Sequence, residues 1–191
     1  MACVIAIPLG LATALNTFKG KALVIQSLNT LMALPTVVVG LLLYGLLSRQ
    51  GAFGHYGLLY TPGAVIIGEC LLIIPILWNL SISAVQAADP RLAATCRGLG
   101  ASRLQLAVLL LSEVRYGFIS AVVVGFGRAI GEVGIAMMVG GNIEGFTRTM
   151  TTAIALETSK GEFELALALG SLLLVVAFAV NGCFQYLQRQ T

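Results

Sequence analysis

Two charged residues, Arg128 and Glu132, lie four positions apart in the apolar stretch GFGRAIGEVGIAMMVGG, and another apolar stretch carries the carboxylate of Glu69. A charge inside a membrane span costs about 3 kcal/mol or more, so it needs a partner or a water-filled cavity. Side chains at i and i+4 face each other on a helix. Arg128 and Glu132 therefore form either a mutually neutralising structural pair, or a pathway element in which Arg128 presents positive potential to a passing polar solute and Glu132 acts as the restraint or gate of Arg128. Glu69 is either a carboxyl that snorkels to the interface or bonds to a neighbour, or a residue of the pathway.

The longest polar run, at about residues 86–104, separates two very apolar segments. Asp89 and Pro90 have the residue types of a helix N-cap and a first helical turn. Gly98 or Gly100 is suited to end that helix, because glycine adopts the left-handed conformation common at a C-cap. The run is therefore predicted to be a short helix with a cap at each end.

The sequence has no constellation for catalysis. The phosphate-binding pattern G-x-x-x-x-G-K-[ST] is absent, and the single histidine, His55, has no nucleophile or metal ligand at a suitable spacing. The four cysteines show neither a CxxC pattern nor a disulfide framework. The net charge of +3 comes without a basic cluster that would bind nucleic acid. We therefore expect no catalytic site, no metal site and no cofactor in this chain, and any uphill transport must draw its energy from a partner or an ion gradient.

Composition predicts a membrane protein. Of the 191 residues, 58% are hydrophobic and 10% are charged, with a mean hydropathy of +0.96. Soluble domains carry roughly 25% charged residues, so a soluble globule of this composition would lack polar groups for its surface. The unbroken apolar runs favour helices. The fold class expected is an all-α integral membrane protein, with one domain over residues 1–191.

The apolar runs predict about five transmembrane helices. They lie at about 2–17, 22–48, 61–85, 117–139 and 162–186. Pro35 should kink the second span. The helix that starts near residue 103 should run along the interface and turn into the bilayer near Gly117.

Local capping signals mark several helix starts. Thr61-Pro62 is an N-cap followed by a first-turn proline. Ser102 begins an S-x-x-Q capping box, and Ser159 begins an S-x-x-E box that should start the last span. A short helix is expected at about residues 149–157.

Positive charges predict the orientation. Placing the polar run on the inside puts seven Lys and Arg residues there: Lys19, Lys21, Arg91, Arg97, Arg103, Arg115 and Arg189. Only Arg49, Arg148 and Lys160 then lie outside. The positive-inside rule thus favours an outer N-terminus and an inner C-terminus.

The polar run resembles the EAA loop of permeases in type I ABC importers. That family pattern is E-A-A, three residues, glycine, nine residues, then I-x-L-P. Aligning it on Gly100 puts Ala94-Thr95-Cys96 at E-A-A, so the glutamate is missing. Ser112-Glu113 stand in place of Leu-Pro.

Nearly the whole chain resembles the permease subunit of tungstate importers, most specifically in GEVG, GGNI and FTRTMTTAIALETSKGEFELA. Such permeases usually have more chain before the helix at residue 2, which favours a chain truncated at its N-terminus. Molybdate and sulfate permeases share the general plan, so they are the alternative substrates.

The resemblance implies a multi-pass protein of a prokaryotic cytoplasmic membrane, surrounded by lipid. Its implied partners are a second permease copy, two cytoplasmic ATPase subunits that bind ATP and Mg, and an external solute-binding protein. It also implies that the short helix is a coupling helix that contacts the ATPase. Its residues would be Asp89, Pro90, Arg91, Leu92, Ala93, Ala94, Arg97, Gly98 and Gly100. Two functions outside this family compete: an ion-gradient-driven carrier, and a membrane subunit with no transport role.

Overall fold

The computed structural model describes residues 1–88, 91, 95–96 and 98–189. This part of the chain contains nine α-helices of four or more residues, one 3-10 turn and no strand, which confirms the all-α prediction. The helices are α1 (Ala2–Leu15), α2 (Lys21–Met32), α3 (Thr36–Leu47), α4 (Pro62–Gln86), α5 (Arg103–Glu113), α6 (Arg115–Ile130), α7 (Gly134–Gly140), α8 (Met150–Lys160) and α9 (Phe163–Arg189). The 3-10 turn is Gly54–Tyr56.

Each apolar run predicted to span the membrane is helical. In the described ranges, α4 and the Phe163–Phe184 part of α9 are long and apolar enough to cross a membrane as single helices. The count rises to four when each of two bent pairs, α2 with α3 and α5 with α6, is taken as one span. The remaining run forms α1, which is a shorter apolar helix.

The second apolar run is two helices rather than one kinked helix. α2 and α3 meet at 96°, far beyond an ordinary proline kink. Pro35 disfavours the helical conformation for the residue before it, so α2 ends at Met32 and α3 starts after Pro35. The carbonyl of Pro35 accepts hydrogen bonds from Val38 and Val39 at the start of α3. The proline thus separates two helices.

The predicted turn near Gly117 is confirmed at Val114, where α5 and α6 meet at 70°. The capping box at the start of α5 is also confirmed. The Gln105 N–H donates to Ser102 Oγ at 3.3 Å, and the Ser102 N–H donates to Gln105 Oε1 at 2.8 Å. Similarly, the Ala64 N–H donates to Thr61 Oγ1 at 3.3 Å at the start of α4. These two helix starts depend only on hydrogen bonds between residues three positions apart.

The predicted capping box at Ser159 is wrong. Ser159 lies within α8, and its hydroxyl donates back to the Ala155 carbonyl at 2.7 Å. α8 continues to Lys160 because Gly161, with φ of +85°, provides a left-handed C-cap. α9 then begins at Phe163. The short helix predicted near residues 149–157 is α8, whose own capping box joins Thr149 and Thr152.

The chain forms two compact units. The first comprises Met1–Met32 and Ile73–Gly125, and its core contains Leu11, Val85 and Phe118. The second comprises Ala33–Leu72 and Phe126–Thr191. In this second unit α7 packs against α3, α8 packs against α9, and the core is formed by Leu43, Leu47, Ala64, Leu72, Ile135 and Val139. The expectation of one domain over residues 1–191 stays a prediction.

Candidate functional site

A helix break in the second unit holds the charged residues that the sequence singled out. α6 ends at Ile130 and α7 begins at Gly134, so a continuous helix over 117–139 is a wrong prediction. Glu132 therefore lies in the break, one turn beyond Arg128 but outside the helix that carries it. Glycines on both sides, Gly131 and Gly134, lower the helix propensity of this segment.

Two oxygen atoms of Glu132 accept hydrogen bonds at the helix break. Its Oε1 atom accepts the N–H of Ile135 at 3.1 Å, in the first turn of α7. Its backbone carbonyl accepts the hydroxyl of Thr151 at 2.7 Å. Only 3% of the Glu132 side chain is exposed. Buried backbone groups without partners are costly, so these bonds make the interruption tolerable.

Arg128 is held much less firmly. Its Nη2 atom lies 3.8 Å from Glu132 Oε2, which is too long for a hydrogen bond. Its side chain is 42% exposed, whereas that of its partner is almost fully buried. A guanidinium carries five N–H donors, so Arg128 retains the capacity to bind a further acceptor.

Glu69 lies on α4, next to a close contact with α7. A Cβ atom added to Gly68 would collide with Cγ2 of Ile135, so the two helices approach closely at this level. Ile135 in turn donates its N–H to the Glu132 carboxylate, and Arg128 lies 3.8 Å from that carboxylate. The structure thus brings the three predicted residues into one neighbourhood.

The break also packs against the start of α3, which sequence reasoning missed. A Cβ atom added to Gly134 would lie 2.8 Å from Thr36 Oγ1 and 3.2 Å from Glu132 Oε1. Thr36 follows Pro35 at the start of α3, so the break lies against the beginning of another helix of this unit. The cluster G-E-V-G and the Pro35 signal were visible in the sequence, but their proximity was not.

The polar run after α4 is described only in part. Asp89, Pro90, Leu92, Ala93, Ala94 and Arg97 lie outside the described residues. Gly100 has a φ of +81°, and the Ala101 N–H donates to the Cys96 carbonyl at 3.0 Å. These features make Gly100 the C-cap of the preceding helical turn, whereas Gly98 is helical. Arg91 is also helical, and it interacts with another group of the chain.

Two cavities lie beside the end of α3, apart from the charged cluster. One has a volume of about 680 Å³ and the other about 540 Å³, and Tyr44 and Tyr60 line both. The two rings meet edge to face, with centroids 6.3 Å apart. The hydrogen bond with Tyr44, followed by burial, raises the pKa of the Tyr60 phenol. Tyr60 has a φ of +64°, and its N–H donates to the Val139 carbonyl at 2.8 Å, so α7 holds it in this strained conformation.

Comparison with known proteins identifies a family. Residues 6–191 match the family described as the binding-protein-dependent transport system inner membrane component. The match covers nearly the whole chain, including the helix break with Glu132 and the segment that ends at Gly100.

Three curated relatives are similar over most of their length. A probable anion ABC transporter permease protein of Haloferax volcanii is 40% identical over 95% of this chain and 81% of its own. The tungstate uptake system permease protein TupB of Peptoclostridium acidaminophilum is 40% identical over 100% of this chain and 83% of its own. TupB of Campylobacter jejuni is 40% identical over 90% of this chain and 72% of its own.

Proposed function

The chain belongs to the family of inner membrane components of binding-protein-dependent transport systems, and we propose that it is the permease of an ABC importer for an oxyanion, with tungstate as its substrate. The similarity to two tungstate permeases over nearly the whole chain carries this proposal. The similarity to an anion permease supports the wider substrate class. The apolar helices agree with a multi-pass membrane subunit.

In this proposal the chain works as part of an assembly. Two copies pair in the cytoplasmic membrane within the lipid, with the N-terminus outside and the C-terminus inside. Two ATPase subunits bind ATP and Mg and supply the energy, and an external binding protein delivers the oxyanion. The family description supports the binding protein, and the similarity to an ABC transporter permease supports the ATPase. The positive-inside rule supports the orientation.

The segment that ends at Gly100 is proposed to couple the permease to the ATPase. The left-handed Gly100 stops the helical turn sharply, and the capping box at Ser102 starts α5 two residues later. A short helix that stops and restarts in this way can enter a cleft on a partner as a rigid unit.

Arg128 and Glu132 are proposed to have different roles. Glu132 stabilises the helix break, since both its carboxylate and its carbonyl accept hydrogen bonds there. Arg128 is half-exposed and only loosely paired, so its positive charge is available to an oxyanion on the pathway. The structural interpretation of the pair thus applies to Glu132, and the pathway interpretation applies to Arg128.

Molybdate or sulfate is the second candidate substrate, because permeases for these anions share the general plan. An importer of this kind takes its selectivity from the external binding protein. Measuring the affinity of that protein for tungstate, molybdate and sulfate distinguishes the candidates. Tightest binding of tungstate is the expected result, and a preference for either other anion would reassign the substrate.

The coupling proposal is tested by replacing Gly100 with aspartate and purifying the permease together with its ATPase. An L-residue at a φ of +81° costs about 1–2 kcal/mol and alters the end of the helix. We expect the ATPase to dissociate from this variant. Gly161→Asp is the matched control, because Gly161 is also a left-handed C-cap, with φ of +85°, an added Cβ there meets nothing within 4 Å, and it lies outside the coupling segment. Equal retention of the ATPase by both variants would contradict the proposal.

A further inference from the structure

Glu69 has a buried carboxyl oxygen that the mechanism so far does not use. Its Oε2 atom is buried and has no hydrogen-bond partner among the described residues. Glu69 is also the only charged residue of α4. An unpaired carboxylate in a membrane protein is costly, so such a group is expected to meet a cation or donor in some state of the protein.

Arg128 is the cation that the helix break brings into the neighbourhood of Glu69. Glu69 follows Gly68, which touches Ile135, and the Ile135 N–H binds the Glu132 carboxylate. Arg128 lies 3.8 Å from that same carboxylate, so a chain of contacts joins it to the residue beside Glu69. Movement of the guanidinium from Glu132 towards Glu69 would give the unpaired oxygen a partner.

The three residues differ in their freedom to move. Glu132 is fixed by its bond to Ile135, and the same bond keeps its carboxylate partnered when Arg128 leaves. Arg128 has a long side chain, 42% exposure and a 3.8 Å contact, so little holds it beside Glu132. A move of Arg128 to Glu69 would stabilise Glu69, because its Oε2 atom has no other donor among the described residues.

We propose that Arg128 exchanges between two carboxylates, Glu132 and Glu69, and that Glu69 is the positioning residue that draws the guanidinium away from the oxyanion. This inference rests on the proposed role of Arg128 in the pathway. An anion needs positive potential to enter but must also leave. Pairing of Arg128 with Glu69 neutralises its charge and so favours release.

The test is a double-mutant cycle in the complete transporter, reconstituted in vesicles with its ATPase and binding protein. Arg128→Gln, Glu69→Gln and the double variant are compared with the unmodified protein for tungstate uptake. Maximal rate and half-saturating concentration are measured separately. Glu164→Gln, which removes an exposed carboxylate in the first turn of α9, is the matched control.

We expect Glu69→Gln to lower the maximal rate several-fold with little change in the half-saturating concentration, because release is slowed. In the Arg128→Gln background the same change should have no further effect. Glu69→Asp retains the charge and should restore part of the rate. Recovery of the rate in Glu69→Asp would show that the charge of Glu69, rather than a structural role, is required. The same variant keeps the proposal testable if Glu69→Gln assembles poorly.

Independent, multiplying effects of the two glutamine substitutions would overturn the exchange while leaving Arg128 in the pathway. A Glu69→Gln transporter with the unmodified maximal rate would do the same. Normal uptake by Arg128→Gln would instead overturn the pathway role itself, and the exchange with it.

Discussion

At the scale of single residues, Glu132 shows why a charge in an apolar segment need not be a transport residue. Its carboxylate accepts a backbone N–H that the helix break leaves without an intrahelical partner. Its own carbonyl is bound by Thr151, which lies 19 residues further along the chain. The charge of Glu132 is thus part of the local structure, which leaves Arg128 as the proposed contact for a solute.

The cap at Glu132 predicts a stability difference between two substitutions. Glu132→Ala removes the acceptor of the Ile135 N–H in a buried site and should cost about 1–3 kcal/mol. Glu132→Gln keeps an acceptor oxygen, so its loss should be smaller. Thermal unfolding in detergent compares the two variants. An alanine variant as stable as the unmodified protein would show that the bond to Ile135 does not stabilise the break.

Arg128 predicts a loss of transport without a loss of assembly. Arg128→Gln removes the positive charge from a half-exposed site, and we expect uptake to fall about tenfold, equivalent to about 1.4 kcal/mol. Lys160→Gln is the matched control, because Lys160 pairs with Glu157 on α8, away from the break. The complex should still purify with its ATPase. Full uptake by the Arg128 variant would remove this residue from the pathway.

At the scale of helices, the sequence was informative where the signal was short-range. The caps at Thr61 and Ser102 were predicted correctly because each depends on residues three positions apart. Ser159 has the same pattern but lies within α8, because Gly161 ends the helix after it. A capping motif that overlaps a helix C-terminus is ambiguous from sequence alone.

The helix break at Glu132 was not predictable in the same way. Its composition is apolar enough to continue a span, and its partner Thr151 and neighbour Thr36 are distant in sequence. The 96° bend after α2 was underestimated for a related reason, since proline indicates an interruption but not its angle. Tertiary contacts with Thr151 and Thr36 accompany the break at Glu132.

The close approach of α4 and α7 predicts that Gly68 tolerates no side chain. Gly68→Ala would place a Cβ atom against Ile135, and overpacking of this kind costs about 1–3 kcal/mol. Gly170→Ala in α9 is the matched control, because an added Cβ meets nothing there within 4 Å. We expect a lower unfolding temperature for the first variant and no loss for the second. Equal temperatures would show that the helices can separate without cost.

At the scale of the whole molecule, the exposed apolar surface agrees with a membrane setting. Only 6% of the most apolar 18-residue window of α9 is buried within the chain. A bilayer would cover such a surface. The membrane class and the helical fold were predictable from composition because both depend on average properties. The assembly with other subunits was not predictable from composition, since only the family resemblance implies it.

Import of tungstate by this permease, driven by ATP, is tested by measuring tungstate uptake into vesicles. The vesicles contain this permease with its ATPase, with ATP inside and the binding protein outside. We expect accumulation that requires both ATP hydrolysis and the binding protein, and that persists when ion gradients are collapsed. Tungstate uptake that continues without ATP, or that stops when an ion gradient is removed, would contradict it and favour a gradient-driven carrier.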